Sequence, residues 1–163
     1  IVGKKKFIEK IEYHPLMRAL RVDKFTLAAL EATLNIYRNF DKAVKIIPTL
    51  RMLTEDTEKT KQRAEDLLNK IKAVDKFDFT VEKGTARIGG GAYPLTELDT
   101  YVLKISAEEF SPEKIAYLLR QSKMPVFTRI NEGQLIFDLK TVQPFEIDIL
   151  ADTINDILQE EIK

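Results

Sequence analysis

The chain has no cysteine and no tryptophan, a single histidine, and only six glycines and six prolines in 163 residues. Without cysteine there are no disulfides, no thiolate metal ligands and no cysteine nucleophile. One histidine, His14, excludes a multi-histidine metal centre. No apolar run approaches the roughly 18–20 residues that cross a bilayer, and no leader pattern is present, which predicts a cytoplasmic protein with no membrane partner. An excess of charge is lacking too, because 26 Lys and Arg face 26 Asp and Glu. Zero net charge argues against a broad electrostatic grip on nucleic acid, which needs a basic excess or a segregated basic face. No paired-carboxylate, Ser–His–Asp or Walker-type pattern is found.

What is present suffices for one sizeable core, or a core with an appended arm. The chain opens on Ile1-Val2-Gly3 rather than on Met, and Lys4, Lys5 and Lys6 follow. This reads as the end of a strand turning into a basic helix with its lysines in solvent, so a piece of a longer protein is expected. Asp23 is placed to cap a helix whose apolar stripe is Leu27, Leu30, Leu34 and Tyr37. The stripe continues through Val44 and Ile47 until Pro48 interrupts it. Thr54, with Glu55 and Asp56 behind it, predicts a second helix start. That heavily charged helix should run to about residue 73 with Ala64, Leu67, Leu68 and Ile71 turned inward.

Beyond Val74 the period changes to alternation. Phe77, Phe79 and Val81, then Tyr101, Leu103 and Ile105, predict two strands with one wet face. Ser111-Pro112-Glu113 is a helix start, with Ile115, Leu118 and Leu119 buried behind it. Residues 126–130 and 135–139 read as strands joined by a hairpin at 131–134. A last helix carries Ile147, Leu150, Ile154 and Ile157 on one side. The order predicts an α+β fold over 75–163, a mostly antiparallel sheet with helices on one face, preceded by a helical lead-in over 1–74.

The segment HPLMRALRVDK, from His14 to Lys24, carries the chemistry. Arg18 and Arg21 stand three apart, which on a helical or near-helical turn is same-side spacing. Two solvated helix arginines would satisfy that spacing. The alternative is an anion held between two guanidiniums, whose forked donors match phosphate-like oxygens. Context favours the anion, since Glu12 and Asp23 are the only acids close by in sequence. His14 is an accessory candidate as acid or base, although no partner constellation is readable and a capping or packed role explains it as well. Gly89-Gly90-Gly91 cannot continue a helix or strand cheaply and marks a pocket-covering or interface loop. A phosphate-cradling loop is disfavoured there, because Pro94 and a strand follow it rather than a helix. Arg129, inside a strand, is either an edge charge paired across to Asp138 or an accessory group aimed at a ligand.

HPLMRALRVDK and the TLAALEATL after it, IIPTLRML at 46–53, GGGAYPL at 89–95, and PVFTRI followed by LIFDLKTV at 125–142 together resemble the bacterial selenocysteine synthases, the L-seryl-tRNA(Sec) selenium transferases. The resemblance covers essentially the whole chain. It implies the small C-terminal domain of an aspartate-aminotransferase-like, fold-type I pyridoxal-phosphate enzyme, with 1–74 as the end of the large domain and its connecting helices and 75–163 as the small α+β domain. It further implies seryl-tRNA(Sec) and selenophosphate as substrates, pyridoxal 5'-phosphate as cofactor, a homo-oligomer, and Arg18 and Arg21 as the selenophosphate-binding pair. The Schiff-base lysine of such enzymes is expected upstream of Ile1, so no catalytic residue is expected within this chain, which alone should be inactive and bind no cofactor. Two other readings stand beside this one: the small domain of another fold-type I enzyme such as a carbon–sulfur lyase, in which Arg129 would hold a free substrate carboxylate, or a non-enzymatic α+β interaction module.

Overall fold

In the computed structural model, which describes residues 2–72, 75–88, 96–107 and 111–161 (side chains through 159), local chain chemistry sets the helix starts. Residues 1–50 and 51–163 form two separate units, with the boundary falling inside one short helix. The first unit holds α1 (Lys5–Glu12), α2 (Leu16–Ala19), α3 (Lys24–Tyr37) and α4 (Phe40–Ile46). Asp23 caps α3 as expected, accepting from the Thr26 N–H at 2.9 Å. The apolar stripe does not continue unbroken to Pro48. Asn39 interrupts it by accepting from the Lys42 N–H at 2.9 Å and starting α4 afresh. An Asn side chain that satisfies an orphan N–H at a new N-terminus competes with helix continuation. Leu27, Leu30, Leu34 and Tyr37 are all exposed, and among residues 2–50 only Ala43 is buried. Val2 and Gly3 belong to no strand.

The second unit follows the boundary helix α5 (Pro48–Thr54) and comprises α6 (Thr57–Lys70), β1 (Asp78–Arg87), β2 (Glu97–Ser106), α7 (Pro112–Gln121), β3 (Arg129–Asn131), β4 (Gln134–Asp138) and α8 (Ile147–Glu161). Asp56, not Thr54, caps α6, accepting from the Glu58 N–H at 3.0 Å. The sheet is fully antiparallel in the order β1-β2-β4-β3. Ser111 caps α7, with Pro112 in its first turn. Glu132 (φ 51°) and Gly133 (φ 74°) form the β3–β4 turn, the paired positive φ values of a type I′ hairpin. β3 is shorter than the expected strand at 126–130, because the Val126 N–H is spent on the Leu119 carbonyl of α7 at 2.9 Å.

Helices α6, α7 and α8 cover one face of the sheet. Leu103 and Ile105 of β2 and Leu135 and Phe137 of β4 pack with Leu67, Ile115, Leu119, Leu150 and Ile154 in one core. Burying each such side chain contributes roughly 1.5–3 kcal/mol. Ala64, Leu67 and Ile71 of the charged helix and its exit belong to this core, within the compact unit that spans residues 51–163. The end of α6 is closed by Asn155 of α8, whose Oδ1 accepts from the Lys72 N–H at 2.8 Å and whose Nδ2 donates to the Lys70 carbonyl at 3.1 Å. The second bond satisfies a carbonyl that a helix C-terminus otherwise leaves open.

Candidate functional site

Arg18 lies in the last turn of α2, and Arg21 is the first residue of the linker between Leu20 and the α3 cap. The turn begins at His14, whose Nδ1 accepts from the Leu16 N–H at 3.2 Å. His14 thus accepts one backbone N–H at the start of α2, with Pro15 standing as the residue before the helix. Leu20 extends the turn by donating its N–H to the Leu16 carbonyl at 3.0 Å. Both arginines are exposed, and neither guanidinium has a hydrogen bond or ion pair among the described residues. The nearest acid on the C-terminal side is occupied elsewhere. Asp23 accepts from the N–H and from the hydroxyl of Thr26, each at 2.9 Å, and these bonds hold its carboxyl below the ordinary range. The segment thus presents two forked cations with no carboxylate paired to either among the described residues. A tetrahedral oxyanion is the small ligand that such donors suit.

The second unit uses its charges for construction. Arg63, almost fully buried, meets both oxygens of Glu55, with Nη1–Oε1 at 2.9 Å, and donates from Nε and Nη2 to the Leu139 carbonyl at 3.3 and 3.0 Å. Lys140, also buried, donates to the carbonyls of Asp99 (3.1 Å) and Glu55 (3.4 Å). Together with Arg51 and Gln143, which are hydrogen-bonded to each other, they line a shallow depression. None of these pairings is visible in the sequence, since the partners lie from 8 to 92 positions apart.

Arg129, the first residue of β3, is bonded across the sheet. Its Nη2 donates to Asp138 Oδ2 at 3.0 Å and its Nη1 to the Thr85 carbonyl at 3.5 Å. Asp138 also accepts from the Thr100 hydroxyl at 2.8 Å and from the Lys140 N–H at 3.1 Å. A guanidinium spent on a neighbouring carboxylate is poorly placed to hold a substrate carboxylate. Gly89, Gly90 and Gly91 lie outside the described residues. Among the described residues, no group of three or more acidic or histidine side chains could hold a metal, and no helix is long and apolar enough to cross a membrane.

Comparison with known proteins adds what geometry cannot. The family model described as SelA, L-seryl-tRNA selenium transferase, matches residues 1–143. The chain belongs to the L-seryl-tRNA selenium transferase family. It is 42% identical over 158 residues to the L-seryl-tRNA(Sec) selenium transferase of Clostridium perfringens, a match covering 96% of this chain and 34% of that protein. The protein of the same name from Carboxydothermus hydrogenoformans is 46% identical over 149 residues, covering 91% and 32% of the two chains. That of Aquifex aeolicus is 40% identical over 158 residues, covering 97% and 34%. The chain therefore spans about a third of the length of the selenium transferases it matches. The match takes in HPLMRALRVDK and every element up to Gln143.

Proposed function

We propose that this chain is the C-terminal part of a pyridoxal-phosphate-dependent transferase that converts seryl-tRNA(Sec) to selenocysteinyl-tRNA(Sec) with selenophosphate, and that Arg18 and Arg21 hold the selenophosphate. The observation that carries this reading is the pair of exposed guanidiniums with no ion pair among the described residues, in a chain of this family, beside an aspartate already committed to a helix cap. The relatives, named L-seryl-tRNA(Sec) selenium transferases, supply seryl-tRNA(Sec) as substrate and selenium transfer as the reaction.

Pyridoxal phosphate needs a lysine amine able to lose its proton, a counter-charge for the ring nitrogen and a cradle for the phosphate. Among the described residues Lys140 is the one buried lysine, and its ammonium is fixed on two backbone carbonyls beside Arg63. Lys4, Lys5 and Lys6 stand exposed around the start of α1. These residues do not fit the cofactor, and the reading places its lysine in the part of the protein that this chain does not span. The same reading takes residues 1–50 as the end of the cofactor-bearing domain of a fold-type I enzyme, α5 and α6 as the connection, and the sheet with its helices as the small domain. Support comes from α3, whose exposed apolar stripe has the pattern of a face covered in a longer, homo-oligomeric protein.

The test is turnover of the full-length protein with selenophosphate and seryl-tRNA(Sec). Arg18→Ala and Arg21→Ala should each remove charge-assisted bonds worth about 1.5–3 kcal/mol, a loss of roughly 10- to 150-fold. Cofactor absorbance should stay unchanged, which controls for folding. Arg→Lys should rescue in part, because an ammonium keeps the charge and loses the fork. Near-normal turnover with alanine at both positions would return the two arginines to plain surface charge. The chain of residues 1–163 alone should show no transfer.

A further inference from the structure

The neutral net charge conceals a division. Residues 1–50 carry ten Lys and Arg against five Asp and Glu, whereas residues 51–163 carry sixteen against twenty-one. The bias is steepest at the start, where residues 1–24 hold seven basic and three acidic side chains. Helix α1 gives that charge a shape. Phe7, Ile8 and Ile11 recur at helical spacing along one side, while Lys6 and Lys10, four apart, share another. Lys5 alone meets a carboxylate, Glu9 at 3.7 Å, in an exposed pair that neutralises little. Lys6 sits 4.9 Å from the Phe7 ring centre. Lys4, Lys6 and Lys10 have no carboxylate partner among the described residues. Clustered like charges repel one another, and a polyanion relieves that repulsion.

Three further residues, Tyr13 to Pro15, join α1 to the turn that carries Arg18. A small oxyanion at Arg18 and Arg21 leaves α1 with its own unmatched charge. The transferase reading, on which this inference rests, brings a polyphosphate chain to the same segment. We propose that Lys4, Lys6 and Lys10 grip the phosphodiester backbone of the tRNA substrate and so position its serylated end. Ammonium groups on flexible stems contact phosphates without reading bases, so the contact is electrostatic and independent of sequence.

The experiment measures equilibrium binding of seryl-tRNA(Sec) to the full-length protein across a salt series. The comparison is between the unchanged protein and a Lys4→Gln/Lys6→Gln/Lys10→Gln variant, with cofactor absorbance and thermal unfolding as folding controls. Losing three phosphate contacts should flatten the slope of log affinity against log salt by about 2 to 3. Affinity at low salt should fall at least tenfold, and the KM for tRNA should rise with it. A triple Lys→Arg variant keeps the charge and should keep the slope. An unchanged slope and affinity in the glutamine variant would overturn the proposal while leaving the transferase reading intact. Failure of the unchanged protein to bind seryl-tRNA(Sec) at all would sink the transferase reading itself, and this contact with it. A variant whose selenophosphate requirement changes while its tRNA affinity does not would assign these lysines to the small-anion site instead, against the proposal.

Discussion

Arg63 ties three pieces of chain together, and its worth should be readable as a pH dependence. Its guanidinium holds the Glu55 carboxyl below its ordinary value of 4.5, first through the hydrogen bonds and then through charge, with Lys140 and Lys59 adding to the effect and burial opposing it. A carboxyl depressed in the folded state contributes stability that is complete above its unfolded pKa and is lost as pH falls through the folded one. Residues 51–163 should therefore hold their thermal midpoint from neutrality down to about pH 5 and lose it below. Glu55→Gln should cost about 1.5–3 kcal/mol near neutrality, and the gap from the unchanged protein should close as acid protonates the carboxyl. Two melting curves that stay parallel down to pH 3 would show that the pair contributes nothing of this kind. At this scale the sequence discloses local partners and hides distant ones. The Asp23 cap and the Ser111 cap can be read because donor and acceptor lie three residues apart. Arg63 with Leu139, 76 residues away, cannot, because only the folded chain brings them together.

The strands show how far element-level reading goes and where it stops. The 131–134 turn is legible from its glycine, and the structure gives it a conformation that can be tested. Glu132 occupies a left-handed position that Asn or Gly tolerates better, so Glu132→Asn should stabilise the hairpin by about 0.5–1 kcal/mol in denaturant unfolding. Gly84 is a different case, for its φ is not the issue. A Cβ there would lie 2.9 Å from Cγ1 of the buried Val102. Gly84→Ala should cost about 1–3 kcal/mol, and combining it with Val102→Ala should cost less than the two single changes added together. Additive costs would remove the steric explanation. Strand ends are less legible than strand centres. Alternation at Phe79 and Val81 announces β1 but not its run to Arg87, since the distal half of the β1–β2 ribbon extends beyond β4, which pairs only with Val102 to Ile105. Side chains take over where the third strand stops, with Thr100 on Asp138, Lys140 on the Asp99 carbonyl and Arg129 on the Thr85 carbonyl.

Over the whole molecule, the second unit has its own closed core and the first does not. A chain of residues 51–163 should accordingly unfold in one cooperative denaturant transition, and Leu103→Ala within it should lower stability by about 2–5 kcal/mol. A broad, noncooperative transition would show that this core depends on residues 1–50. Fold class is legible in the order of elements because each apolar period maps onto one face of one element. What α6 packs against is not, since Ala64, Leu67 and Ile71 can be read as an inward stripe while the strands they meet lie further along the chain. The arginine pair is legible as a motif, whereas its lack of counter-ions is a property of the folded segment. The opposed charges of the two units also govern how copies of the chain behave toward one another. A molecule with no net charge has no long-range repulsion to keep its neighbours apart, and here each basic stretch can meet the acidic remainder of another copy. Near neutral pH and low ionic strength the purified protein should cloud at modest concentration and clear on adding salt, a salting-in that light scattering at graded ionic strength would follow.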